Sequence, residues 1–462
     1  MLKKIIILLF VYVTIYSQSE LKDRIDKLIS KIPRGTIAAI EIIDANTGES
    51  IYENEATTHV IPASNAKLFS TATALSIMGV SYEFETRILT EDKNIADNTI
   101  DGNLYLQGLG NSLFSEKDLD DFVSELKKLN ISEIKGDIIG DDSIWDNNYF
   151  RQDWIEGETA NVFVPAVSAI VLNRNMLTVN ISGSSKVKGR AIVSLNTENE
   201  FIDIQNSCLT VKRKGTPSAV LNFSSGRFTL DVTGRIGRNV NKSITVKIKN
   251  PAIYAASVLY TKIKNAGITV LGLPKESITV NNAVTIKKCV LPLVNVVNLV
   301  NKRSDNFLAE CLFKSIGAYT TLKQGNAFYS TQAINQFINN QNIYNDEVEI
   351  VDGSGISRSN NVTVKTMAQL LYNIYSDKKI FDIYKSSLAV SGLEGTLRRR
   401  MKNGYEGKFY GKTGTLNGVS SLTGYYEPEE GRFYIVSMVF QFGKKDHSYY
   451  KDIQDKIVES IY

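Results

Sequence analysis

Ser64 and Lys67 are the two residues whose types and spacing point most directly to chemistry. Residues three apart on a helix lie on the same face, so the hydroxyl and the amine can come within hydrogen-bonding distance. Pro62 and Ala63 suit the entry to a helix. The run that follows, Leu68 to Met78, is apolar or small nearly all round, as in a helix enclosed by protein.

Burial gives this pair its predicted chemistry. Desolvation lowers the pKa of a buried lysine, and a neutral amine beside a hydroxyl can activate a serine nucleophile. The same spacing recurs elsewhere, but those copies lie in polar, charge-rich surroundings that indicate solvated surface. They are Ser19/Lys22, Ser124/Lys127, Ser132/Lys135, Ser185/Lys188, Ser376/Lys379 and Ser448/Lys451.

The chain offers few other groups for this role. It contains 2 histidines, His59 and His447. A Ser-His-Asp arrangement would need one of them, and His59 lies in a polar stretch typical of the surface. Lysine is therefore the favoured base. No residues have metal-ligand spacing, so we predict neither a metal nor a cofactor.

The composition is that of a soluble globular protein, with 43% hydrophobic and 22% charged residues over 462 positions. This length predicts more than one domain. The net charge is +4, and no basic block interleaved with aromatic residues is present. We therefore expect no nucleic-acid partner.

Residues 1–19 are typical of an export signal. Lys3 and Lys4 precede a short apolar run, Ile5 to Val13, and small residues follow. We predict export to the periplasm or cell envelope. The 3 cysteines leave at least one thiol free. A Cys208–Cys289 bridge and three free thiols both remain open, as do dimerisation and association with a membrane surface.

The first and last parts of the chain are predicted to form one domain. Thr36 to Ile43 and Ser50 to Tyr52 form a hairpin without a core of its own, which C-terminal strands could supply. We predict a split catalytic domain at 20–83 and 285–462. Within it lie an inserted domain at 84–177 and 251–284 and a nested all-β domain at 178–250. The C-terminal strands are expected at Lys408–Lys412, Ser421–Tyr426 and Phe433–Gln441.

Two further motifs occur in the predicted catalytic domain. Ser304-Asp305-Asn306 lies between two helices, and Lys412-Thr413-Gly414 ends a strand. With Ser64-x-x-Lys67 they resemble the signature of class A β-lactamases and penicillin-binding proteins. The long insertion after the first motif resembles the D-alanyl-D-alanine carboxypeptidase/endopeptidase family, the class C low-molecular-mass penicillin-binding proteins. Similar stretches are Gly140–Ser143 with Trp145 and Asp146, Val167–Ala169, Asp352–Arg358 and Leu393–Leu397.

The resemblance implies a fold and an activity. The fold is α/β (α+β), transpeptidase-like, of the β-lactamase/penicillin-binding type, with an antiparallel sheet flanked by helices and interrupted by two inserted, mostly-β domains. The activity is that of an exported serine D,D-peptidase. It would hydrolyse the D-Ala-D-Ala termini of peptidoglycan stem peptides through an acyl-enzyme. Whether it also cuts the crosslinks between D-alanine and a diamino acid stays open. β-Lactams would acylate the same serine.

The resemblance also implies residue roles. Ser64 attacks, Lys67 takes its proton, Ser304 relays that proton and Asn306 holds Lys67 and the substrate amide. Lys412 and Thr413 bind the substrate carboxylate, and Lys412 helps to keep Lys67 neutral. Gly414 admits the substrate backbone to the strand edge, and the N–H groups of Ser64 and Thr415 form an oxyanion hole. Arg358 pairs with a second carboxylate on the substrate's diamino-acid side chain.

Two alternatives remain open on the same fold. One is a β-lactamase-like hydrolase with the same acylation but fast deacylation; no acidic residue is assignable as its deacylating base. The other is a catalytically silent cell-wall binding protein. Singly, Ser304 and Asn306 could merely cap the helix that follows them.

Overall fold

The computed structural model describes residues 19–154 and 164–462. These residues form two compact units. The first unit comprises 19–82, 151–154 and 293–462, and the second comprises 83–150 and 164–292. Apart from Ser19, the predicted export signal lies outside the described residues. The predicted bounds of the three domains stay a prediction.

A six-stranded antiparallel sheet forms the centre of the first unit. Its strands are β1 (Ile37–Asp44), β2 (Ser50–Asn54), β18 (Ala389–Val390), β19 (Phe409–Leu416), β20 (Val419–Glu429) and β21 (Arg432–Gln441). The order is β18-β19-β20-β21-β1-β2. The N-terminal hairpin, β1 and β2, joins the sheet through pairing of β1 with β21, which confirms that the two ends of the chain share one sheet.

Helices cover both faces of this sheet. On one face α1 and α10 pack on alternate residues of β1, among them Ile40 and Ile42. On the other face α8 contacts β1 and β21. Covering on both sides explains why β1 is apolar almost throughout. The helices of the unit are α1 (19–29), α2 (Ala66–Met78), α5 (Leu293–Arg303), α6 (Asn306–Thr321), α7 (Ala327–Asn340), α8 (Val364–Ser376), α9 (Phe381–Ser387) and α10 (His447–Glu459).

The second unit is mostly β structure. A five-stranded sheet has the order β16-β7-β5-β3-β17, and two further sheets have the orders β14-β8-β9 and β10-β13-β11, with β12 beside β13. Short strands β15, β6 and β4 form another. Two helices, α3 (Glu116–Lys128) and α4 (Pro251–Asn265), accompany them. The strands are β3 (Glu83–Thr90), β4 (Thr99–Ile100), β5 (Leu104–Leu109), β6 (Glu133–Ile134), β7 (Ile138–Asp141), β8 (Met176–Ser182), β9 (Ile192–Leu195), β10 (Ile202–Asn206), β11 (Leu209–Val211), β12 (Pro217–Ser224), β13 (Arg227–Gly237), β14 (Asn241–Lys247), β15 (Thr269–Val270), β16 (Pro274–Glu276) and β17 (Val284–Pro292).

Three general features bear on the sequence predictions. Cys208, Cys289 and Cys311 are all free thiols, so the open alternative of a Cys208–Cys289 bridge is not realised. Within 19–154 and 164–462, no group of three or more His, Cys, Asp or Glu side chains is arranged to hold a metal ion. In the same ranges, no helix has the length and apolar character needed to cross a membrane.

Candidate active site

Ser64 lies in a single 3₁₀ turn, Ala63–Asn65, immediately before α2. The sheet holds the chain that enters this turn: Ser421 Oγ on β20 donates to the carbonyl of Pro62 at 2.7 Å. Ala63 has φ = +50°, which is unusual for a residue with a side chain. This backbone turn directs the chain from Pro62 into α2 and so positions Ser64 at the start of the helix.

Lys67 follows one turn later on α2 and is fully buried. Its Nζ lies 2.9 Å from Ser64 Oγ and 2.8 Å from Asn306 Oδ1, and it also donates to the carbonyl of Ser354. The structure thus brings Lys67 into hydrogen-bonding contact with both Ser64 and Asn306, although the two motifs come from separate segments of the chain.

The second motif adopts the loop geometry that its position between helices predicts. Asp305, rather than Ser304 or Asn306, caps α6, because its Oδ1 accepts the N–H of Leu308 at 3.0 Å. The alternative reading of Ser304 and Asn306 as helix caps is therefore wrong. Ser304 has φ = +58°. Capping by Asp305 leaves the side chains on either side of it available to Lys67 and Lys412.

Lys412 on β19 is the second fully buried lysine. Its Nζ donates to Ser304 Oγ at 2.8 Å and to the carbonyl of Thr413 at 2.7 Å. The structure therefore joins the second and third motifs, as it joins the first and second. Thr413 Oγ1 donates to Thr396 Oγ1 at 2.9 Å in a part-exposed position.

The outer edge of β19 is open where the third motif lies. β18 pairs only with Tyr410 and Gly411, and no strand among the described residues pairs with that edge from Lys412 onward. Gly414 has a packing role that the sequence did not reveal. A Cβ there would stand 2.2 Å from Ser421 Oγ and 2.9 Å from the carbonyl of Pro62. Gly414 thus permits close approach of the strand to the Ser64 turn.

Burial lowers the pKa of Lys67 to about 8, while the charges of Asp352, Glu310 and Asp305 act in the opposite direction. Burial lowers the pKa of Lys412 well below its ordinary value, and the charge of Lys67 lowers it further. The predicted sign for Lys67 is correct, but the carboxylates keep its pKa near 8. At pH 7 about a tenth of the amine is neutral.

Sequence reasoning missed the carbonyl of Ser354 and the carboxylate of Glu310. Ser354 lies in the Asp352–Arg358 stretch that resembles the family. The direction of a main-chain carbonyl, however, cannot be predicted from residue types. Glu310 could have been found from the sequence, because it is an acidic residue within the apolar run Phe307–Phe313 of α6. Its Oε1 accepts the N–H of Ser354 at 2.7 Å.

The remaining predicted residues lie beside β19. Arg358 donates from Nη2 to the carbonyl of Asn417 at 2.6 Å, which places it against the turn that follows β19. Thr415 is exposed near the end of that strand. His59, the discarded histidine base, is hydrogen-bonded through Nδ1 to Asn361 Nδ2 at 2.8 Å.

Three comparisons with known proteins identify the family and the fold. The model of the D-Ala-D-Ala carboxypeptidase 3 (S13) family matches residues 21–461. A D-alanyl-D-alanine carboxypeptidase from an Actinomadura species is 26% identical over 437 residues, covering 89% of this chain and 79% of the relative. D-alanyl-D-alanine carboxypeptidase DacB from Haemophilus influenzae is 25% identical over 424 residues, covering 88% and 86%. The family match confirms the predicted family and its class of enzyme, a serine peptidase.

Solved structures confirm the predicted α/β fold of the penicillin-binding type, while the two inserted domains stay a prediction. The crystal structure of penicillin binding protein 4 (dacB) from Haemophilus influenzae superposes with a TM-score of 0.79 at 21% identity, covering 94% of this chain and 97% of that one. A predatory endopeptidase from Bdellovibrio bacteriovorus gives a TM-score of 0.51 at 14% identity, covering 92% of each chain.

We expect Gly355→Ala to unfold more readily than a matched control. Gly355 has φ = +76°, and a Cβ there would stand 1.9 Å from the carbonyl of Ala63, beside the nucleophile. Gly431 has φ = +79° but open space around its Cβ position. Chemical denaturation should show Gly355→Ala losing roughly 1–3 kcal/mol more than Gly431→Ala. Equal losses would mean that the contact with Ala63 is unimportant.

Proposed function

The chain belongs to the D-Ala-D-Ala carboxypeptidase 3 (S13) family, and we propose that Ser64 is its nucleophile and Lys67 the base that takes the serine proton. The supporting observation is the distance of 2.9 Å between Lys67 Nζ and Ser64 Oγ in a buried setting. The substrates would be peptidoglycan stem peptides that end in D-Ala-D-Ala. The site of action would be the periplasm or cell envelope.

The partners of Lys67 support proton transfer from Ser64 to Lys67. A neutral amine has two N–H bonds and one lone pair, and Asn306 Oδ1 and the carbonyl of Ser354 can only accept hydrogen bonds. The two N–H bonds therefore go to these acceptors, and the lone pair is left facing the hydroxyl of Ser64. Ser64 can then lose its proton to Lys67 as its oxygen attacks.

The reaction proceeds in two halves. Ser64 Oγ bonds to the carbonyl carbon of the penultimate D-alanine, and the C–N bond to the terminal D-alanine breaks. The proton held by Lys67 passes to the leaving amine, with Ser304 as relay. Water then attacks the ester carbon and gives a proton to Lys67, which passes it to Ser64 Oγ as the C–O bond breaks and the shortened peptide acid leaves. Backbone N–H groups of Ser64 and Thr415 would stabilise the oxyanion, and each such donor is typically worth roughly a hundred- to a thousandfold in rate.

Substrate binding would also activate the base. Lys412 lies beside the open edge of β19, where an extended peptide can add as a strand, with Thr413 next to its carboxylate. A carboxylate there would stabilise the charged form of Lys412. Because two buried ammonium groups repel each other, charge on Lys412 lowers the proton affinity of Lys67. The anionic end of the substrate thus favours the neutral base.

The decisive experiment is intact-mass analysis after incubation with benzylpenicillin. We expect one penicilloyl adduct on Ser64 that persists for at least minutes, together with release of D-alanine from a D-Ala-D-Ala peptide. Ser64→Ala should give neither. Rapid loss of the adduct with turnover of penicillin would favour the β-lactamase alternative. Failure of both reactions in the folded wild-type protein would favour the catalytically silent binding protein.

The rate of acylation should rise with pH. The base must be neutral, and burial lowers the pKa of Lys67 to about 8. We therefore expect the second-order rate of penicillin acylation to rise about tenfold per pH unit well below pH 8 and to level off above it. Stopped-flow or quenched mass spectrometry from pH 5.5 to 9.5 measures this limb. A rate that is flat over that range would contradict lysine as the base.

Arg358 would confer preference for peptides with a carboxylate on the diamino-acid side chain, including crosslinks. Its guanidinium lies against the turn after β19, at the end of the edge proposed for substrate. Arg358→Ala should lower kcat/KM on diaminopimelate or crosslinked peptides about tenfold more than on a simple tripeptide ending in D-Ala-D-Ala. Measuring both substrates on both proteins checks this, and an equal loss on the two would contradict it.

A further inference from the structure

Thr396 is a residue beside the third motif to which the proposed reaction assigns no part. It is exposed and lies in a single 3₁₀ turn, Gly395–Leu397, between β18 and β19. Its Oγ1 accepts a hydrogen bond from Thr413 Oγ1 at 2.9 Å. Each hydroxyl has one proton to donate, so this pair uses one O–H bond and has a second to spare. Among residues 19–154 and 164–462, no other acceptor takes that second O–H bond.

The turn that carries Thr396 is held against the end of α5. Leu397 is fully buried, and Lys302 Nζ pairs with the carboxylate of Glu394 at 2.7 Å. Gly395 has φ = +66°, and a Cβ there would lie 2.6 Å from the carbonyl of Lys302. The turn is thus packed on the segment that leads into the second motif. Because it is held on both sides of Thr396, the hydroxyl has a defined position beside β19.

Thr396 and Thr413 meet where the terminal carboxylate of the substrate is proposed to bind. Lys412 Nζ donates to the carbonyl of Thr413 at 2.7 Å and to Ser304 Oγ at 2.8 Å. The open edge of β19 begins at the same lysine, since β18 pairs only with the two residues before it. The hydroxyl pair and a buried amine therefore adjoin the strand edge to which an extended peptide can add.

A carboxylate can accept from both hydroxyls at once. When ionised it is an acceptor only, with two oxygens and about four lone-pair sites. The hydroxyl of Thr413 can turn from Thr396 to one carboxylate oxygen while the hydroxyl of Thr396 donates to the other. One neutral hydrogen bond is then replaced by two charge-assisted ones, each roughly twice as strong as a neutral bond. A neutral ester in the same place gains less from this exchange.

We propose that Thr396 is a specificity-determining residue: together with Thr413 it binds the carboxylate of the substrate's leaving group, and so selects leaving groups that carry one. This inference rests on the proposed function, since it presumes turnover through an acyl-enzyme on Ser64. Thr396 lies in none of the three motifs, and the fold alone brings it beside the third.

Two substrates separate the carboxylate from the rest of the reaction. One is an N-acyl-D-alanyl thioester of thioglycolic acid, whose leaving group ends in a carboxylate. The other is the methyl ester of the same compound, whose leaving group is neutral. Both contain the same activated thioester bond, so turnover stays measurable when the carboxylate is blocked. Release of thiol by the full chain gives kcat/KM for each substrate.

Two variants separate the hydroxyl from the shape of the side chain. Thr396→Val removes the hydroxyl and keeps the branched shape, whereas Thr396→Ser keeps the hydroxyl. Thr320→Val, at the exposed C-terminal end of α6, is the matched control. Thermal unfolding of each variant shows whether it is folded. Should Thr396→Val fail to fold, Thr396→Ala takes its place, because it also lacks the hydroxyl.

We expect Thr396→Val to lower kcat/KM about tenfold on the free acid and less than about twofold on the methyl ester. The reason is that only the free acid loses a hydrogen bond to a charged group. Thr396→Ser should stay within about threefold of wild type on both substrates, because it keeps the donor. Thr320→Val should match wild type on both.

An equal loss on the two substrates would overturn the inference, because it would mean that Thr396 only supports the shape of β19. Full activity of Thr396→Val on the free acid would overturn it as well. A wild-type protein that cleaves neither thioester and forms no penicilloyl adduct is a different result, because it would contradict the proposed function itself.

Discussion

The constraint on which this structure depends is the burial of two lysines close enough to influence each other's charge. Lys67 and Lys412 are both fully buried, and burial lowers the pKa of each. Water would keep both amines charged, and a charged Lys67 has no lone pair to offer Ser64. Excluding water is thus the first condition for the chemistry, and α2, α6 and the edge of the sheet together supply it.

The carboxylates near Lys67 limit how far burial lowers its pKa. Without Asp352, Glu310 and Asp305, burial alone would favour the neutral amine more strongly. With them, the pKa of the amine is about 8, so small changes in nearby charge have a large effect on its protonation near neutral pH. A pKa near the working pH is also what efficient general-base catalysis requires. Asp352 and Glu310 also accept N–H groups of the loop whose Ser354 carbonyl binds Lys67, so the residues that raise the pKa of the amine also hold its partner.

The sequence predicted the parts of the site that depend on local spacing and motif order. Ser64 and Lys67 meet because they are one helical turn apart, and the hairpin joined the C-terminal sheet because its apolar residues need cover on both faces. The tertiary contacts of the site could not be predicted from the sequence. The acceptor at Ser354 is a main-chain group, and the close packing of Gly414 on Pro62 depends on how two segments approach. The short helix α9 was also missed, because seven residues carry too little periodicity to stand out.

Activation of Ser64 requires that Lys67 is a proton acceptor of reduced pKa in the folded protein. Its most direct test is a titration of the Lys67 side chain by NMR, with labelled lysine and assignment through Lys67→Arg. The midpoint should lie near pH 8, well below the value of about 10.4 for an ordinary lysine. A midpoint at or above pH 10 would mean that the amine stays charged beside Ser64, and the proposed activation of the serine would be wrong.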